Sequence, residues 1–229
     1  MSDDTVDRLS LLIKGVDAIM TGFILYLVVF IFYAFSVIAL MGILIHLPPI
    51  SMDMINALVP ILLLVTYATL VRRGFDLMVK AYPKDYDVGK VGVFIVIFAS
   101  LLSLAMDVMV VIRVSPLIIN LVSVVVAIEN FIGQFMIMTA LYRLGYYSNT
   151  LKYSSVIMMI SYVLVYLGLT IVLLRNYLIA GGLFITGVFI LVPSYGSVIY
   201  GLNNAHRTIT NLIIELSKPG SSKLFNGRI

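Results

Sequence analysis

The residues of this sequence most able to do chemistry are polar side chains set within long apolar stretches. Glu129 stands near the middle of a predicted helix, and Asn130 and Gln134 lie on an adjoining face at helical spacing. Asp107 lies inside the preceding predicted helix, and Arg113 stands just beyond the end of that helix. Because an ionisable group at membrane depth is costly, these five residues form a candidate intramembrane polar site.

Two interpretations of Glu129 stay open. It is either the proton or cation site of a carrier or channel, flanked by amides, or a protonated or hydrogen-bonded side chain that holds helices together. The second is favoured, because the sequence supplies one central acid and no paired broken helices of the kind that transporters use. For Asp107 and Arg113, a structural ion pair near the external surface is favoured over a functional site.

The sequence contains no recognisable motif for catalysis or cofactor binding. It has no cysteine, no phosphate-binding glycine loop, no helical His-Glu-x-x-His and no credible serine triad. The two histidines, His46 and His206, are predicted at opposite ends of the bundle, separated by about 30 Å of hydrocarbon. They cannot share a metal or a haem, because ligand bonds are only about 2 Å long. We therefore expect a protein that is not an enzyme and has no catalytic residue, cofactor or metal.

The composition indicates which elements must position these side chains. Of the 229 residues, 62% are hydrophobic and 11% are charged, and the mean hydropathy is +1.12. Soluble domains have about 45–50% apolar and about 25% charged residues, so the sequence predicts an integral membrane protein surrounded by lipids. The net charge of +4 is typical of basic cytoplasmic loops, and no nucleic-acid partner is expected.

Six apolar stretches predict an all-α fold, a six-helix transmembrane bundle of three helical hairpins. The predicted spans cover about 18–46, 54–71, 91–112, 117–142, 154–174 and 178–202. Three parts of the chain follow from this: an amphipathic cytoplasmic or interfacial segment (1–17), the transmembrane domain (18–202) and an amphipathic cytoplasmic tail (203–229). Gly15 is the predicted hinge into the first span.

The distribution of basic residues predicts the orientation. All of the 15 lysines and arginines except Arg113 and Arg175 fall on one face of this topology. Cytoplasmic loops of membrane proteins carry such an excess of basic residues. We expect both termini to be cytoplasmic, in a multi-pass protein of the cell membrane.

Several short motifs lie between residues 70 and 170. They are Arg73-Gly74-Phe75, Gly89-Lys90-Val91-Gly92, Leu141-Tyr142-Arg143-Leu144-Gly145-Tyr146 and Tyr166-Leu167-Gly168-Leu169. In these motifs the chain resembles an archaeal family of multi-pass membrane proteins that is described only as a domain of unknown function. The resemblance implies an archaeal cell membrane and assigns no catalytic residue.

These observations predict a non-catalytic membrane protein that acts through helix–helix association. Ala99 and Ser103, and likewise Gly182 and Thr186, are small residues at four-residue spacing, which lets a neighbouring helix approach closely. We expect a homo-oligomer or a subunit of a membrane complex. The alternative is a small transporter or channel that uses Glu129.

Overall fold

The computed structural model describes residues 2–43, 61–173 and 177–217, and every regular element within these ranges is helical. The helices are α1 (Ser2–Ile43), α2 (Arg72–Ala81), α3 (Pro83–Val111), α4 (Pro116–Leu144), α5 (Asn149–Leu173) and α6 (Tyr177–Leu216). Residues 61–66 are also helical, and a π-helical segment, Tyr67–Val71, joins them to α2. The prediction of an all-α fold is confirmed.

Five of the described helices are long and apolar enough to cross a membrane. The stretches concerned are Asp4–Val29, Pro83–Val111, Pro116–Leu144, Asn149–Gly168 and Gly181–Leu216. They correspond to the first, third, fourth, fifth and sixth predicted spans. The predicted second span, 54–71, lies partly outside the described residues.

Two helices extend well beyond the predicted spans. α1 begins at Ser2 and passes through Gly15 without a break, and α6 continues to Leu216. The apolar stripes of these extensions are buried in the protein, since Leu9 is 2% exposed and Ile209 is 0% exposed. Both residues belong to the same hydrophobic core. One face of each extension therefore packs against the rest of the protein, and the predicted position of these segments at the lipid headgroups stays a prediction.

Close backbone contacts explain why Gly15 is not a hinge. A Cβ atom added to Gly15 would lie 2.8 Å from the Gly74 carbonyl oxygen, and one added to Gly74 would lie 2.7 Å from the Gly15 carbonyl oxygen. α1 and α2 cross at this point with no room for a side chain. Small residues allow such approaches between membrane helices.

The break between α2 and α3 has a local cause. Pro83 disfavours a helical conformation at the residue before it, and Tyr82 accordingly has φ −141° and ψ 84°. Proline is tolerated in the first turn of a helix, so α3 begins at Pro83 itself. Lys90 Nζ of α3 then lies 2.8 Å from Asp76 Oδ1 of α2, which joins the two helices across the break.

Candidate functional site: a buried tyrosine and glutamine network

Gln134 is the centre of a hydrogen-bond network inside the bundle. The side-chain oxygen Oε1 of Gln134 accepts a hydrogen bond from the Tyr67 hydroxyl at 3.0 Å and another from the Tyr162 hydroxyl at 3.3 Å. The Tyr162 and Tyr195 hydroxyls are 3.0 Å apart. Since Tyr162 donates its one proton to Gln134, Tyr195 must donate to Tyr162. We call these four residues the tyrosine network.

Each member of the tyrosine network comes from a different helical segment. Gln134 lies on α4, Tyr162 on α5 and Tyr195 on α6, while Tyr67 is the first residue of the π-helical segment. All four are at most 6% exposed. A buried tyrosine hydroxyl requires a hydrogen-bond partner, and the network supplies one for each of the three.

Aromatic rings of α1 enclose the network on one side. The Tyr26 ring centroid lies 5.4 Å from that of Tyr195, and the Phe23 ring meets Tyr195 edge-on at 5.9 Å. On α4 and α5, Phe131 and Tyr166 stack edge-on at 5.2 Å. Tyrosine and glutamine carry no charge at neutral pH. The network is thus a neutral, buried polar centre that links four helical segments.

The structure brings one of the five predicted site residues, Gln134, into this network. Asn130 lies one helical turn before Gln134 on α4, and its oxygen Oδ1 is buried without a hydrogen bond from the described residues. Glu129 is half-buried, and its oxygen Oε2 is likewise buried without such a bond. Whether Glu129 serves as an ion site or in packing stays a prediction.

The other two predicted site residues lie at the far ends of α3 and α4. Asp107 is half-buried on α3. Arg113 is exposed in the turn between the helices and has a φ of 59°, which is uncommon for a residue with a side chain. Gln134 lies five positions after Glu129 on α4, which is about 7.5 Å along the helix axis. The five candidates are therefore spread along one helix pair, and the ion pair between Asp107 and Arg113 stays a prediction.

The histidines are only partly described. His206 on α6 has its Nε2 atom 3.4 Å from Asp17 Oδ1 on α1, whereas His46 lies outside the described residues. Within the described ranges, no group of three or more His, Asp or Glu side chains is arranged to hold a metal ion.

Sequence reasoning identified Gln134 as a candidate site residue but none of the three tyrosines of the network, Tyr67, Tyr162 and Tyr195. The available signal was the position of these residues: each phenol lies inside an apolar stretch, away from the membrane surface where tyrosines usually collect. A phenol at that depth needs a polar partner, and Gln134 is such a partner.

Comparisons of the chain with protein-family models, with curated proteins and with solved structures found no match.

Proposed function

We propose that this chain is a six-span membrane protein of three helical hairpins that acts, without catalysis, by associating with lipids and with other chains. The observation that supports this most is the buried hydrogen-bond network at its centre. The hydroxyls of Tyr67, Tyr162 and Tyr195 all donate within the network, and all four of its residues are buried. A centre of this kind stabilises a bundle, and the outer faces remain available for partners.

Those outer faces are apolar over much of α3 and α4. Phe98 is 54% exposed on α3, and Leu121 and Ile128 are 61% and 53% exposed on α4. Side chains of this type fit lipid tails or the face of another membrane helix. A homo-oligomer or a subunit of a membrane complex would use this surface.

Glycine contacts between consecutive segments support the three hairpins. α1 meets the end of the second predicted span at Gly22, where an added Cβ would lie 2.9 Å from Val71 Cγ2, and α3 meets α4 at Gly92 and Gly133. In the third pair, a Cβ on Gly201 of α6 would lie 2.6 Å from the Cα of Leu151 on α5. Each contact brings a helix against the next one along the chain.

Charged contacts support a common cytoplasmic end for the loops. Lys90 pairs with Asp76, and Arg143 Nη1 donates to the carbonyl oxygens of Lys84 and Asp85 at 3.0 Å each. The basic residues of two predicted cytoplasmic loops therefore meet at one end of the bundle. An archaeal cell membrane, which the family resemblance implies, belongs to the same proposal.

Cysteine labelling tests the orientation on this cysteine-free chain. Lys80→Cys and Arg113→Cys replace exposed residues at predicted opposite faces. An impermeant maleimide added to intact cells should label Arg113→Cys and should reach Lys80→Cys only after permeabilisation. Labelling of Lys80→Cys from outside would contradict the orientation.

Native mass spectrometry in mild detergent tests the association. We expect a stoichiometry above one or a stable complex with another chain, purified from the protein's own membrane. A monomer that never co-purifies with another chain would overturn the proposal.

A second candidate function, cation or proton transport through Glu129, is favoured by one observation. Its carboxylate oxygen Oε2 and the Asn130 oxygen Oδ1 are both buried with no hydrogen bond from the described residues. Glu129→Gln keeps the size and hydrogen-bonding capacity of the side chain and removes its charge. If Glu129 is a carrier site, flux in proteoliposomes collapses in this variant while stability is retained, and the exposed control Asp87→Asn keeps its flux. Equal flux in all three proteins, or none, would eliminate transport.

A further inference from the structure

A cavity of about 830 Å³ lies at the end of the bundle where α1 begins and α6 ends. Asp4 and Arg8 of α1 line one wall, Glu215 of α6 lines another, and Tyr82 and Tyr147 come from the two connections that bound α3 and α4. Cavities that hold small molecules typically measure about 300–1,000 Å³. The tyrosine network contributes none of the residues that line this cavity.

The charges around the cavity are not balanced. Arg8 makes two contacts with Asp4, from Nη2 to Oδ2 at 3.0 Å and from Nε to Oδ1 at 3.3 Å, so these two charges offset each other. Glu215 makes no ion pair with any residue that the structure describes. Among the described residues, the cavity wall therefore carries one carboxylate, that of Glu215, without a positive partner.

Three tyrosines add a surface that attracts positive charge. Tyr82, Tyr146 and Tyr147 all line the cavity, and the Tyr146 and Tyr147 rings meet at 5.2 Å with an interplanar angle of 89°. The negative faces of aromatic rings attract ammonium groups. Burial raises the pKa of the Tyr147 hydroxyl above its ordinary value, so this phenol stays neutral. Leu9 and Leu212 give the remaining wall an apolar character.

We propose that this cavity binds an organic ammonium ion that carries an apolar substituent, with Glu215 as the counter-ion and the tyrosine rings as the wall. The ammonium group would come from a lipid headgroup or from a soluble amine, because the same chemistry recognises both. An anion is a poor fit, since Arg8, the arginine among the described lining residues, already pairs with Asp4. The proposal is independent of transport through Glu129.

Calorimetric titration tests whether the cavity binds an ammonium ion. The probe is benzyltrimethylammonium, and the full chain is held in nanodiscs of phosphatidylglycerol, a lipid without an ammonium group. We expect saturable binding of the probe and none of benzenesulfonate. Glu215→Gln should weaken binding by about tenfold or more, since a cation–π wall alone contributes modestly. Asp87→Asn changes the charge equally at an exposed site outside the cavity and should bind like the parent.

Tyr146 provides a test with little risk to folding, because this residue is 82% exposed. Tyr146→Phe keeps the aromatic face and should bind within about twofold of the parent, whereas Tyr146→Leu should bind about fivefold more weakly. In the same phosphatidylglycerol nanodiscs, competition by a water-soluble short-chain phosphatidylcholine, which carries a trimethylammonium headgroup, would identify a lipid headgroup as the occupant, and no competition a soluble amine. Absence of saturable binding, or equal binding by Glu215→Gln and Asp87→Asn, would overturn the proposal.

Discussion

Gly92 of α3 and Gly133 of α4 lie opposite each other where the backbones of the two helices are in contact. A Cβ atom on Gly92 would come within 2.6 Å of the Gly133 carbonyl oxygen, and one on Gly133 would come within 2.8 Å of the Gly92 carbonyl oxygen. The helices therefore touch through their backbones, which fixes their register. Gln134 is the next residue along α4, so the same contact sets the position from which it reaches Tyr67 and Tyr162.

We expect Gly133→Ala to lower the free energy of unfolding by about 2 kcal/mol, because overpacking forces backbone shifts. The added methyl group would meet Val96 Cγ2 at 2.7 Å as well as the Gly92 carbonyl oxygen. The measurement is detergent-induced unfolding in mixed micelles. Gly196→Ala is the matched control, since nothing lies within 4 Å of that position and alanine favours a helix by about 0.5–1 kcal/mol. Equal stability of the two variants would contradict the close contact.

The tyrosine network predicts coupled effects on stability. Gln134→Leu would leave the Tyr67 and Tyr162 hydroxyls buried without their acceptor, and we expect a loss of about 3 kcal/mol. Tyr67→Phe removes one hydrogen bond and should cost about 1 kcal/mol. The double variant should lose about 1 kcal/mol less unfolding free energy than the two single variants added together, because the phenylalanine ring has no hydroxyl that needs an acceptor. Measuring the free energy of unfolding of the two single variants and of the double variant gives this coupling energy.

Tyr200→Phe is the control for the network, since Tyr200 is 59% exposed and should tolerate the change. Additive losses in Gln134→Leu and Tyr67→Phe would show that the two side chains do not interact.

The contact between Asp17 and His206 predicts a specific cross-link. Asp17 Oδ1 of α1 and His206 Nε2 of α6 are 3.4 Å apart. In a chain without native cysteines, Asp17→Cys/His206→Cys should be joined within one chain by a short bismaleimide, and mass spectrometry of the digested monomer should find the linked peptides. Asp17→Cys/Arg113→Cys is the control, because Arg113 lies at the far end of α3. Failure of the first pair, or equal linking of both, would contradict the packing of α1 against α6.

The sequence predicted the helical class and most of the spans well, because hydropathy depends on local composition. The helix ends were predicted less well. Lys14 and Asp17 interrupt the apolar run, so the first span was predicted to begin near residue 18, whereas α1 begins at Ser2. In this stretch Leu9 is buried in the hydrophobic core and Asp17 lies against His206 of the distant α6. Neither contact can be read from local hydropathy.

The candidate site was predictable only in part, for a similar reason. Gln134 was identified because an amide in an apolar helix is conspicuous in a single sequence. Its partners Tyr67, Tyr162 and Tyr195 are separated from it by 67 residues in one case and 28 in another, and Tyr195 reaches it only through Tyr162. Such pairings follow from how four helical segments pack, which local patterns do not reveal.

The last prediction concerns Arg143 at the end of α4. Its Nη1 atom donates to the carbonyl oxygens of Lys84 and Asp85 in the first turn of α3, at 3.0 Å each. Arg143→Lys keeps the charge, and with it the orientation signal, but loses the planar guanidinium that reaches two carbonyls at once. We expect the free energy of unfolding to fall by about 1 kcal/mol, a modest amount because the side chain is exposed. Arg73→Lys is the matched control, an exposed arginine without a hydrogen bond to the described residues, and it should leave the stability unchanged. If the two variants unfold alike, Arg143 does not hold the start of α3 in place.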